Sequence, residues 1–414
     1  MSKLSDLIKE KCPNGVKFVE LGKVCEITKG RGLSKSDKGT GDSPIILYGE
    51  LYTTYGNYID EVVSFASDAA KSSLEIRKND LLLPVSSTTK EAQIGKASVY
   101  RVDDVCYLGG DAIRLRHQQN ASFLMYVINS ADFEKKKMKC VSGTTINHLN
   151  PGKLAQIKIP IPPLEVQNEI VHILDNFAEL TAELTAELSN RKKQYEYYRD
   201  LLLNFDENTE RERVKWLTLE DVFEFRNGYT PSKANKQFWT NGTISWYRME
   251  DIRQNGRILK DSIQHVTTEA IKGKGLFKKD SIIMATTATI GEHAMLTADS
   301  LANQQFTNFA IREPLKGRVL PKFAFYYFFI IDKWCISNVN ISSFASVEMN
   351  RLKKVRFPIP PVAEQERIIK ILDRFDKLTS DISEGLPAEI EARQNQYEYY
   401  RDKLLTFEEF TVNV

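Results

Sequence analysis

The longest regular pattern in the chain is a heptad repeat of apolar residues. Residues 164–205 contain neither glycine nor proline, and they follow a Pro162-Pro163 pair that suits the first turn of a helix. Apolar residues recur there at spacings of mostly three and four, the pattern of a coiled-coil seam. An unbroken helix of this length would extend about 60 Å. The predicted seam consists of Ile173, Phe177, Leu180, Leu184, Leu188, Tyr195, Tyr198, Leu202 and Phe205.

A second seam of the same kind lies near the C-terminus. It contains four extra residues relative to the first, an insertion that keeps an apolar stripe roughly in phase. Gly385 and Pro387 predict a kink that the first copy lacks. Two similar seams in one chain favour antiparallel pairing, although two unrelated surface helices remain an alternative. The second seam consists of Leu372, Phe375, Leu378, Ile382, Leu386, Ile390, Tyr397, Tyr400, Leu404 and Phe407.

These two seams belong to a tandem duplication of the whole chain. The heptapeptide Gln-Tyr-Glu-Tyr-Tyr-Arg-Asp occurs at residues 194–200 and again, unchanged, at residues 396–402. Pro-Ile-Pro-Pro occurs at residues 160–163 and 358–361, an offset of 198 positions that also pairs Gln167 with Gln365. Between these marks the halves have diverged. The chain therefore repeats one domain plan twice, with similar ends and different middles.

Each half begins with a globular part in which short β-branched and aromatic runs alternate with turns and helices. Strands are predicted at residues 45–48, 80–85 and 156–161, and at 244–247, 281–285 and 355–359, with helices near 123–137 and 321–334. The fold class predicted is α+β, repeated in tandem, each repeat followed by a long helix. The predicted boundaries are a helical lead-in at 1–15, globular domains at 16–162 and 208–360, and helical spacers at 163–207 and 361–414.

Composition does not indicate a nucleic-acid-binding protein, and it does not exclude one. The 414 residues are 42% hydrophobic and 27% charged, with a net charge of only +2, whereas many nucleic-acid-binding domains are far more basic. The five cysteines are scattered without a CxxC pair, and the five histidines are isolated, which argues against a disulfide framework and a metal site. No signal-peptide pattern or membrane-length apolar run is seen. A cytoplasmic protein without a membrane partner is expected.

The repeat as a whole resembles the specificity subunit of type I restriction–modification systems. The resemblance rests on a divergent α+β segment that ends in Pro-Ile-Pro-Pro and precedes a long helix with a glutamine, a Leu-Asp pair and the Tyr-Glu-Tyr-Tyr-Arg-Asp run, all of it twice. It implies two target-recognition domains that each read one half of a split, asymmetric site in double-stranded DNA. It also implies paired helical spacers, with pseudo-twofold symmetry, that set the distance between half-sites and dock two adenine methyltransferase subunits. Restriction subunits would join to cleave unmodified DNA.

No catalytic motif is found, so the chain is expected not to be an enzyme. The Pro-Pro pairs at 162–163 and 360–361 have apolar neighbours and lack the polar group that an amino-methyltransferase motif would supply. There is no phosphate-binding loop, and the Ser-Thr-Thr-Lys run at 87–90 lacks the elements that accompany it in penicillin-binding proteins. No cofactor is expected on this chain; S-adenosylmethionine and ATP with magnesium are expected on the partner subunits.

Polar loops of the two globular domains are the candidate DNA-contacting segments, because base edges and phosphates are contacted mainly by basic, amide and hydroxyl side chains. For any single residue an ordinary solvated loop is the more economical interpretation. The candidates in the first domain are Lys29, Arg31, Lys35, Lys38, Ser87, Thr88, Thr89 and Lys90. Those in the second are Arg226, Tyr229, Lys233, Lys236, Tyr247, Arg248, Arg253, Arg257, Thr286, Thr287 and Thr289.

The repeated tyrosines suggest a protein-docking surface, because they extend around more than one helix face and because tyrosine and arginine are favoured at interface hot spots. Packing within the chain is an equally economical explanation for each of them. The docking candidates are Tyr195, Tyr197, Tyr198, Arg199, Tyr397, Tyr399, Tyr400 and Arg401.

Two other functions stay open at this point. One is a stand-alone DNA-modifying enzyme with an unrecognised active site, and the other is a coiled-coil adaptor that does not bind DNA. Salt-dependent DNA binding would argue against the adaptor, and methyl transfer by the chain alone would support the enzyme. The target bases, the spacer length and the presence of a restriction subunit do not follow from one sequence.

The spacer helix itself generates a prediction. Residues 181–184 and 185–188 are two copies of Thr-Ala-Glu-Leu, and a third copy would lengthen a helix by about 6 Å. Against a rise of about 3.4 Å per base pair, the spacer of the methylated DNA motif should grow by one or two base pairs. Sequencing that detects methylated adenine would measure this, and an unchanged spacer would contradict it.

Overall fold

The computed structural model describes residues 2–88, 93–143, 145–206, 213–341, 345–380 and 386–410. The chain divides into two compact units, the first made of Met1–Glu183 with Glu391–Val414 and the second of Leu184–Ile390. Each unit contains one α+β domain and segments of long helix, so the predicted α+β tandem architecture is confirmed. The exact domain boundaries drawn from the sequence stay a prediction.

The first unit begins with a short helix and then alternates strands with short helices. Its helices are α1 (Ser2–Lys11), α2 (Leu21–Val24), α3 (Glu50–Thr53), α4 (Ala121–Ile128), α5 (Ala131–Met138) and α6 (Pro151–Leu154), with 3₁₀ turns at Lys35–Asp37 and Asp68–Ser72. Its strands are β1 (Lys17–Glu20), β2 (Glu26–Lys29), β3 (Ser43–Ile46), β4 (Tyr58–Ile59), β5 (Ser64–Ala66), β6 (Leu74–Ile76), β7 (Leu81–Pro84), β8 (Ser86–Ser87), β9 (Ser98–Tyr100), β10 (Cys106–Leu108), β11 (Ala112–Arg116), β12 (Val141–Ser142), β13 (Asn147–Leu149) and β14 (Lys158–Ile161).

The described strands of this unit form a central sheet with smaller sheets around it. The central sheet has the order β2-β11-β7-β9-β4, and a second sheet has the order β5-β3-β10-β6. Strands β12, β13 and β8 form a small separate sheet, and β1 pairs antiparallel with β14. The last pairing brings the start of the domain beside its Pro-Ile-Pro-Pro end, so the domain closes on itself before the long helix α7 (Leu164–Leu202) begins.

The second unit repeats this plan. Its strands are β15 (Lys215–Thr218), β16 (Phe223–Asn227), β17 (Ile244–Tyr247), β18 (Ile258–Leu259), β19 (His265–Val266), β20 (Ile282–Ala285), β21 (His293–Leu296), β22 (Leu301–Ala302), β23 (Phe306–Ile311), β24 (Val339–Ile341), β25 (Ala345–Val347) and β26 (Arg356–Ile359). Its helices are α8 (Leu219–Val222), α9 (Met249–Asn255), α10 (Pro321–Ser337), α11 (Met349–Lys353) and α12 (Val362–Ser380), with 3₁₀ turns at Lys236–Phe238, Thr268–Ala270 and Glu313–Leu315. The last long helix is α13 (Leu386–Leu404).

The central sheet and the terminal strand pairing of the second unit match those of the first, whereas its described smaller sheets, β19-β17-β22 and β24-β25, have three and two strands in place of four and three. Its central sheet has the order β16-β23-β20-β21-β18, and β15 pairs antiparallel with β26 as β1 does with β14. Every predicted strand of both domains is present within two residues. The helix predicted near 123–137 is in fact two helices, α4 and α5, because Asn129 and Ser130 interrupt it and Ser130 caps the second.

Each unit has its own apolar core, to which the long helix contributes. In the first, Val166, Ile170 and Leu174 of α7 are buried among residues of β7, β11 and α4. In the second, Ile368 and Leu372 of α12 are buried in a core rich in aromatic side chains from α10. One face of each spacer helix is therefore part of the domain core that precedes it in the chain.

Two polar side chains fasten the first domain to α7. The buried Gln167 accepts a hydrogen bond from the Asn120 amide (3.0 Å) and donates to the Pro162 carbonyl (2.8 Å). Two turns further along α7, Asp175 accepts hydrogen bonds from the hydroxyls of Tyr58 (2.7 Å) and Tyr126 (2.6 Å). Because Asn120 caps α4 and Tyr126 lies near its end, the pair Gln167 and Asp175 holds this helix at both ends.

The same two-point attachment occurs in the second unit. Gln365 accepts a hydrogen bond from the Leu320 amide (2.9 Å) and donates to the Arg318 and Pro360 carbonyls (both 2.8 Å). Asp373 accepts from the Tyr326 hydroxyl and from the Lys322 ammonium. We call each such arrangement, Gln167 with Asp175 and Gln365 with Asp373, the helix clamp. It explains why a glutamine and a Leu-Asp pair are among the few residues shared by the two repeats.

The predicted seams contact each other within each unit. In the first, Phe177 of α7 stacks on Tyr400 of α13 with ring centroids 5.4 Å apart. In the second, Tyr195 and Tyr198 of α7 lie against Phe375 of α12 at 6.3 and 5.8 Å. Pairing of the two helical spacers is thus confirmed. The predicted kink involves Gly385, which lies outside the described residues; Pro387 stands in the first turn of α13, where proline is tolerated.

The clamp should contribute measurably to stability. Replacing Gln365 by leucine leaves the Leu320 amide and two carbonyls in the interior without their partner, which we expect to lower the free energy of unfolding by about 2–4 kcal/mol. Gln394→Leu, at an exposed position of α13, is the matched control and should change little. Thermal and urea denaturation of both variants measure the difference, and equal midpoints would show that the clamp does not stabilise the domain.

Candidate nucleic-acid interface

In the first unit, three segments meet at one edge of the central sheet. Lys29 at the end of β2 pairs with Ile113 of β11, and Ala112 at the start of β11 pairs with Pro84 at the end of β7. The loops that follow β2 and β7, and the turn that precedes β11, therefore leave the sheet on the same side. This edge carries the two loops that the sequence singled out.

Close backbone contact at this edge requires glycine at the start of the first loop. The Gly30 amide donates to the Ala112 carbonyl (2.9 Å). A Cβ atom at Gly30 would lie only 2.0 Å from the Gly109 carbonyl oxygen. Any side chain would push the loop away from the edge, so Gly30 fixes where residues 31–38 leave the sheet.

Most candidates of the first domain are exposed at or beside this edge. Arg31, Lys35 and Thr88 are exposed, whereas Lys29 lies 3.8 Å from Asp111 and Lys38 is paired with Glu50 (3.1 Å). Thr89 and Lys90 lie outside the described residues. The predicted basic loop is therefore a surface loop, with Arg31 and Lys35 its outward cations.

The second unit has the same edge. Asn227 at the end of β16 pairs with Thr307 of β23, and Phe306 at the start of β23 pairs with Ala285 at the end of β20. A Cβ atom at Gly228 would lie 2.1 Å from the Asn303 carbonyl oxygen, which repeats the constraint seen at Gly30. Lys233 and Lys236 are exposed in the loop that follows.

This second edge also carries amide side chains that sequence reasoning missed. Asn227 is exposed and accepts a hydrogen bond from the Thr307 hydroxyl (3.2 Å), and the exposed Gln304 accepts one from Thr230. Asparagine and glutamine are suited to reading adenine in the major groove. The sequence feature that could have indicated them is the polar run Asn-Gln-Gln at residues 303–305, which directly precedes a mostly apolar strand.

Several predicted DNA-contacting residues are corrected by their positions. Tyr247, Ser87 and Thr286 are buried, with 0%, 3% and 7% of their surface exposed, so they support the edge and do not present side chains to a ligand. Arg226 donates to the carbonyls of Leu276 and Gly275, and the Tyr229 hydroxyl donates to Ala270; both side chains are committed to packing within the domain. Thr287 forms a β-bridge with Ser346, and Thr289 is half-buried. Arg248 directly follows Tyr247, the last residue of β17, whose carbonyl accepts a hydrogen bond from the Asn303 amide.

A family model described as the type I restriction modification DNA specificity domain matches residues 13–192 and again residues 212–392. The chain belongs to this family. Both matches end just before the repeated tyrosine-rich run, and each covers one α+β domain with the first part of its spacer helix. The duplication deduced from the sequence is thus a duplication of the specificity domain.

Two relatives and one solved structure agree with this assignment. The type I restriction enzyme EcoprrI specificity subunit of Escherichia coli is 49% identical over 203 residues, 47% of this chain and 51% of that protein. The EcoR124I/EcoR124II specificity subunit of the same organism is 40% identical over 274 residues, 61% of this chain and 64% of that protein. The matched part of the chain thus spans between half and two thirds of these relatives.

The fold likeness extends further than the sequence likeness. A solved chain from work on complex assembly and conformational transition of the type I restriction–modification system has a TM-score of 0.63 at 15% identity. The match covers 95% of this chain and 98% of that chain. The overall fold is therefore that of the specificity family.

On the spacer helices of this specificity protein, the repeated tyrosines fall into inward and outward members. Tyr195 is buried, with 8% of its surface exposed, and burial raises the pKa of its hydroxyl. Tyr197 is 65% exposed and lies edge-on against Tyr198, which stacks on Phe375. In the first unit Tyr399, 59% exposed, lies edge-on against Tyr400, while Tyr397 packs towards the core. The outward members of the two runs are thus Tyr197 and Tyr399.

Arg199 was predicted to face a partner, and this prediction is wrong because the side chain is buried. Its guanidinium lies 4.2 Å from the ring centroid of Phe329, and that of Arg257 lies 4.9 Å from the same ring. Arg257 also donates to the His293 carbonyl (3.1 Å). Arg401, its counterpart in the first unit, is half-buried and bonded to the neighbouring Asp402.

Arg253 and Arg257 therefore belong to a different surface from the sheet edge. They line an open groove of about 1320 Å³ in the second unit, between α9 and the segments of α7 and α12 in that unit. Basic and acidic side chains alternate along it, including Lys192, Glu196 and Asp376. The structure thus separates these arginines from the loop lysines with which the sequence had grouped them.

Four of the five cysteines are buried. Burial raises the pKa of the Cys25, Cys106 and Cys335 thiols to about 12, so these thiols are not poised as nucleophiles. No group of three metal-ligating side chains is found in the described ranges. No helix of the described part is long and apolar enough to cross a membrane.

Proposed function

We propose that this chain is the DNA-reading specificity subunit of a type I restriction–modification complex. The observation that carries the proposal is the repeated edge: each unit presents two loops and a strand turn at the same edge of an equivalent sheet. Each unit is also attached by the same helix clamp to a spacer helix. A pair of such units can read two half-sites at a distance that the helices fix.

The chemistry of the edges fits readers of DNA. Arg31 and Lys35 in the first unit, and Lys233 and Lys236 in the second, offer cations to phosphates, which position a protein without specifying sequence. Asn227 and Gln304 offer amides that can contact base edges. Because the two edges carry different side chains, the half-sites should differ, and the full target should be asymmetric.

Catalysis belongs to other subunits in this proposal. The chain would act as a non-catalytic scaffold on which two adenine methyltransferase subunits assemble, with restriction subunits added in the complete nuclease. S-adenosylmethionine, ATP and magnesium would bind to those partners. The protein would work in the cytoplasm, where host DNA is found.

The partner-docking surface would be formed by the outward tyrosines. Tyr197 on Tyr198 and Tyr399 on Tyr400 present the same edge-on pair, with ring centroids 5.5 and 5.3 Å apart. In each pair the inner ring stacks on a phenylalanine of another spacer helix, Tyr198 on Phe375 and Tyr400 on Phe177. Two equivalent aromatic patches on one chain suit two copies of one partner.

The first experiment is a map of N6-methyladenine in host DNA with and without this gene. Deletion should remove one split, asymmetric motif and leave any other methylation unchanged. Persistence of every motif would exclude the specificity role and favour an adaptor without DNA contact. Methyl transfer by the purified chain alone would instead favour an enzyme, and salt-dependent DNA binding by the complex would argue against the adaptor.

The docking surface is tested by truncating its exposed rings. Tyr197→Ala and Tyr399→Ala should each weaken the binding of one methyltransferase copy by roughly 30-fold, the effect of losing an aromatic hot spot of about 2 kcal/mol. Native mass spectrometry should show one copy bound to each single variant and none to the double variant. Phe65→Ala, with 42% of its surface exposed in the first domain, is the control. Retention of two copies by the double variant would exclude these tyrosines as the docking surface.

A further inference from the structure

A small β-hairpin stands at the sheet edge of the first unit, formed by β12 and β13. Val141 pairs with Leu149 and Ser142 with His148. Strand β13 then pairs with β8, the two residues that follow the end of β7 at the edge. The Leu149 amide donates to the Val85 carbonyl (2.9 Å), which extends this connection to the strand end. The hairpin is therefore a continuation of the candidate interface.

The base of the hairpin is held by packing and by side-chain hydrogen bonds. Leu149 is buried against Gly95, where a Cβ atom would lie 2.6 Å from the leucine side chain. Ser86 Oγ lies 3.0 Å from His148 Nδ1, and the Tyr52 hydroxyl donates to the Ser86 carbonyl (3.0 Å). A base fixed in this way gives the outer part of the hairpin a defined direction.

The turn of the hairpin depends on glycine. Gly143 has a φ of +133°, and a Cβ atom there would lie 1.9 Å from the Ile146 carbonyl oxygen. Only glycine fits this position without movement of the backbone. Gly143 therefore permits the close backbone approach to Ile146, and the described residues Thr145 and Ile146 are exposed.

The outer residues combine hydrogen-bonding groups with one apolar side chain. Ser142, Thr145 and His148 are exposed, and 43% of the surface of Ile146 is exposed. Hydroxyl and imidazole groups can bond to base edges, and an apolar side chain can contact the methyl group of thymine. The set therefore combines groups that a base reader can use.

The charge of the surrounding sequence favours a polyanionic ligand. Residues 135–164 contain six lysines and no acidic residue, and the hairpin lies within this stretch. Lys135 and Lys139, which precede the hairpin, are exposed. Two of the six lysines form ion pairs with acidic residues that directly precede the stretch, Lys136 with Asp132 and Lys137 with Glu134. The exposed cations of the stretch are Lys135, Lys139, Lys153 and Lys158.

We propose that the β12–β13 hairpin enters the major groove of one DNA half-site and reads bases with Thr145, Ile146 and His148. Because β13 also pairs with β8, the hairpin presents its turn end to the major groove, which is about 12 Å wide, and Lys135 and Lys139 contact the flanking phosphates. This inference rests on the proposed function and assigns the reading element within it. The hairpin is the specificity-determining part of the first domain.

The second unit carries a hairpin at the corresponding place. Strands β24 and β25 begin 198 positions after β12 and β13, and the Val347 amide donates to the Thr286 carbonyl at the edge (2.9 Å). Apart from the first residue, Val141 and Val339, its sequence differs at every corresponding position, with Ile341 where the first hairpin has Gly143. One structural position with two different sequences is what an asymmetric target requires of its readers.

The test uses the complete complex with its methyltransferase subunits and maps methylated adenine in host DNA. Thr145→Ala and Ile146→Ala alter exposed side chains, so the fold should persist, which thermal denaturation of each variant verifies. Each variant should relax one or more positions of one half-site, where discrimination should fall by roughly 5- to 150-fold. The other half-site and the spacer should stay unchanged.

Val63→Ala is the matched control, because Val63 has the same exposed fraction as Ile146 and lies just before β5 in the same unit. Methylation of the wild-type motif alone by both hairpin variants would overturn the proposal while leaving the proposed function intact. Loss of all methylation in an assembled, folded complex would also overturn it, since it indicates anchoring and not base reading. If the wild-type chain directed no methylation, the proposed function itself would fail.

Discussion

The attachment of each α+β domain to its spacer helix is the constraint on which the rest of this structure depends. Gln167 and Gln365 are both fully buried. Each accepts a hydrogen bond from the amide of a helix N-cap residue and donates one to the carbonyl just after the strand that precedes the spacer. A buried amide with all its partners in place tolerates little movement, because any shift leaves a polar group unsatisfied. The direction of the spacer is thus set by the domain that precedes it.

This rigidity matters because, in the proposed function, the protein must recognise the separation of two half-sites as well as their bases. An aspartate two turns further along adds a second point, Asp175 to Tyr126 or Asp373 to Tyr326, so the helix can neither rotate nor tilt about the glutamine alone. Burial raises the pKa of both tyrosine hydroxyls, which keeps them neutral donors to the carboxylates. In the proposed function, a clamp of this kind converts a change of helix length into a change of half-site spacing.

Sequence reasoning recovered the parts of the fold that repeat and missed those that depend on distant partners. The duplication, the heptad seam and the strand positions follow from local periodicity, which one sequence displays directly. Arg199 was misplaced because its partner, Phe329, is remote in the chain, and nothing near Arg199 signals a stacked aromatic ring. Tyr247 was misplaced for a related reason, since burial at a strand end depends on which strand becomes its neighbour.

The hairpins were missed because strands of two or three residues give almost no periodic signal. Val141–Ser142 and Asn147–Leu149 contain too few residues to show alternation. What could have indicated them is charge: residues 135–164 carry lysines without a single acidic residue. The overall net charge of +2 does not reveal this stretch, because net charge is summed over surfaces that have different functions.

The fixed points of each domain explain which residues the two repeats share and which they do not. Gly30 and Gly228 both lie under a carbonyl oxygen that excludes any side chain, so the exit point of the first loop is fixed in both units. The clamp fixes the helix in the same way. Exposed side chains of the loops beyond these fixed points are not part of the cores, so their substitution leaves packing largely unchanged; they include Arg31, Lys35, Lys233 and Lys236. A domain built like this can change the sequence it reads without changing how it is held, which is why the ends of the repeats remain alike while their middles diverge.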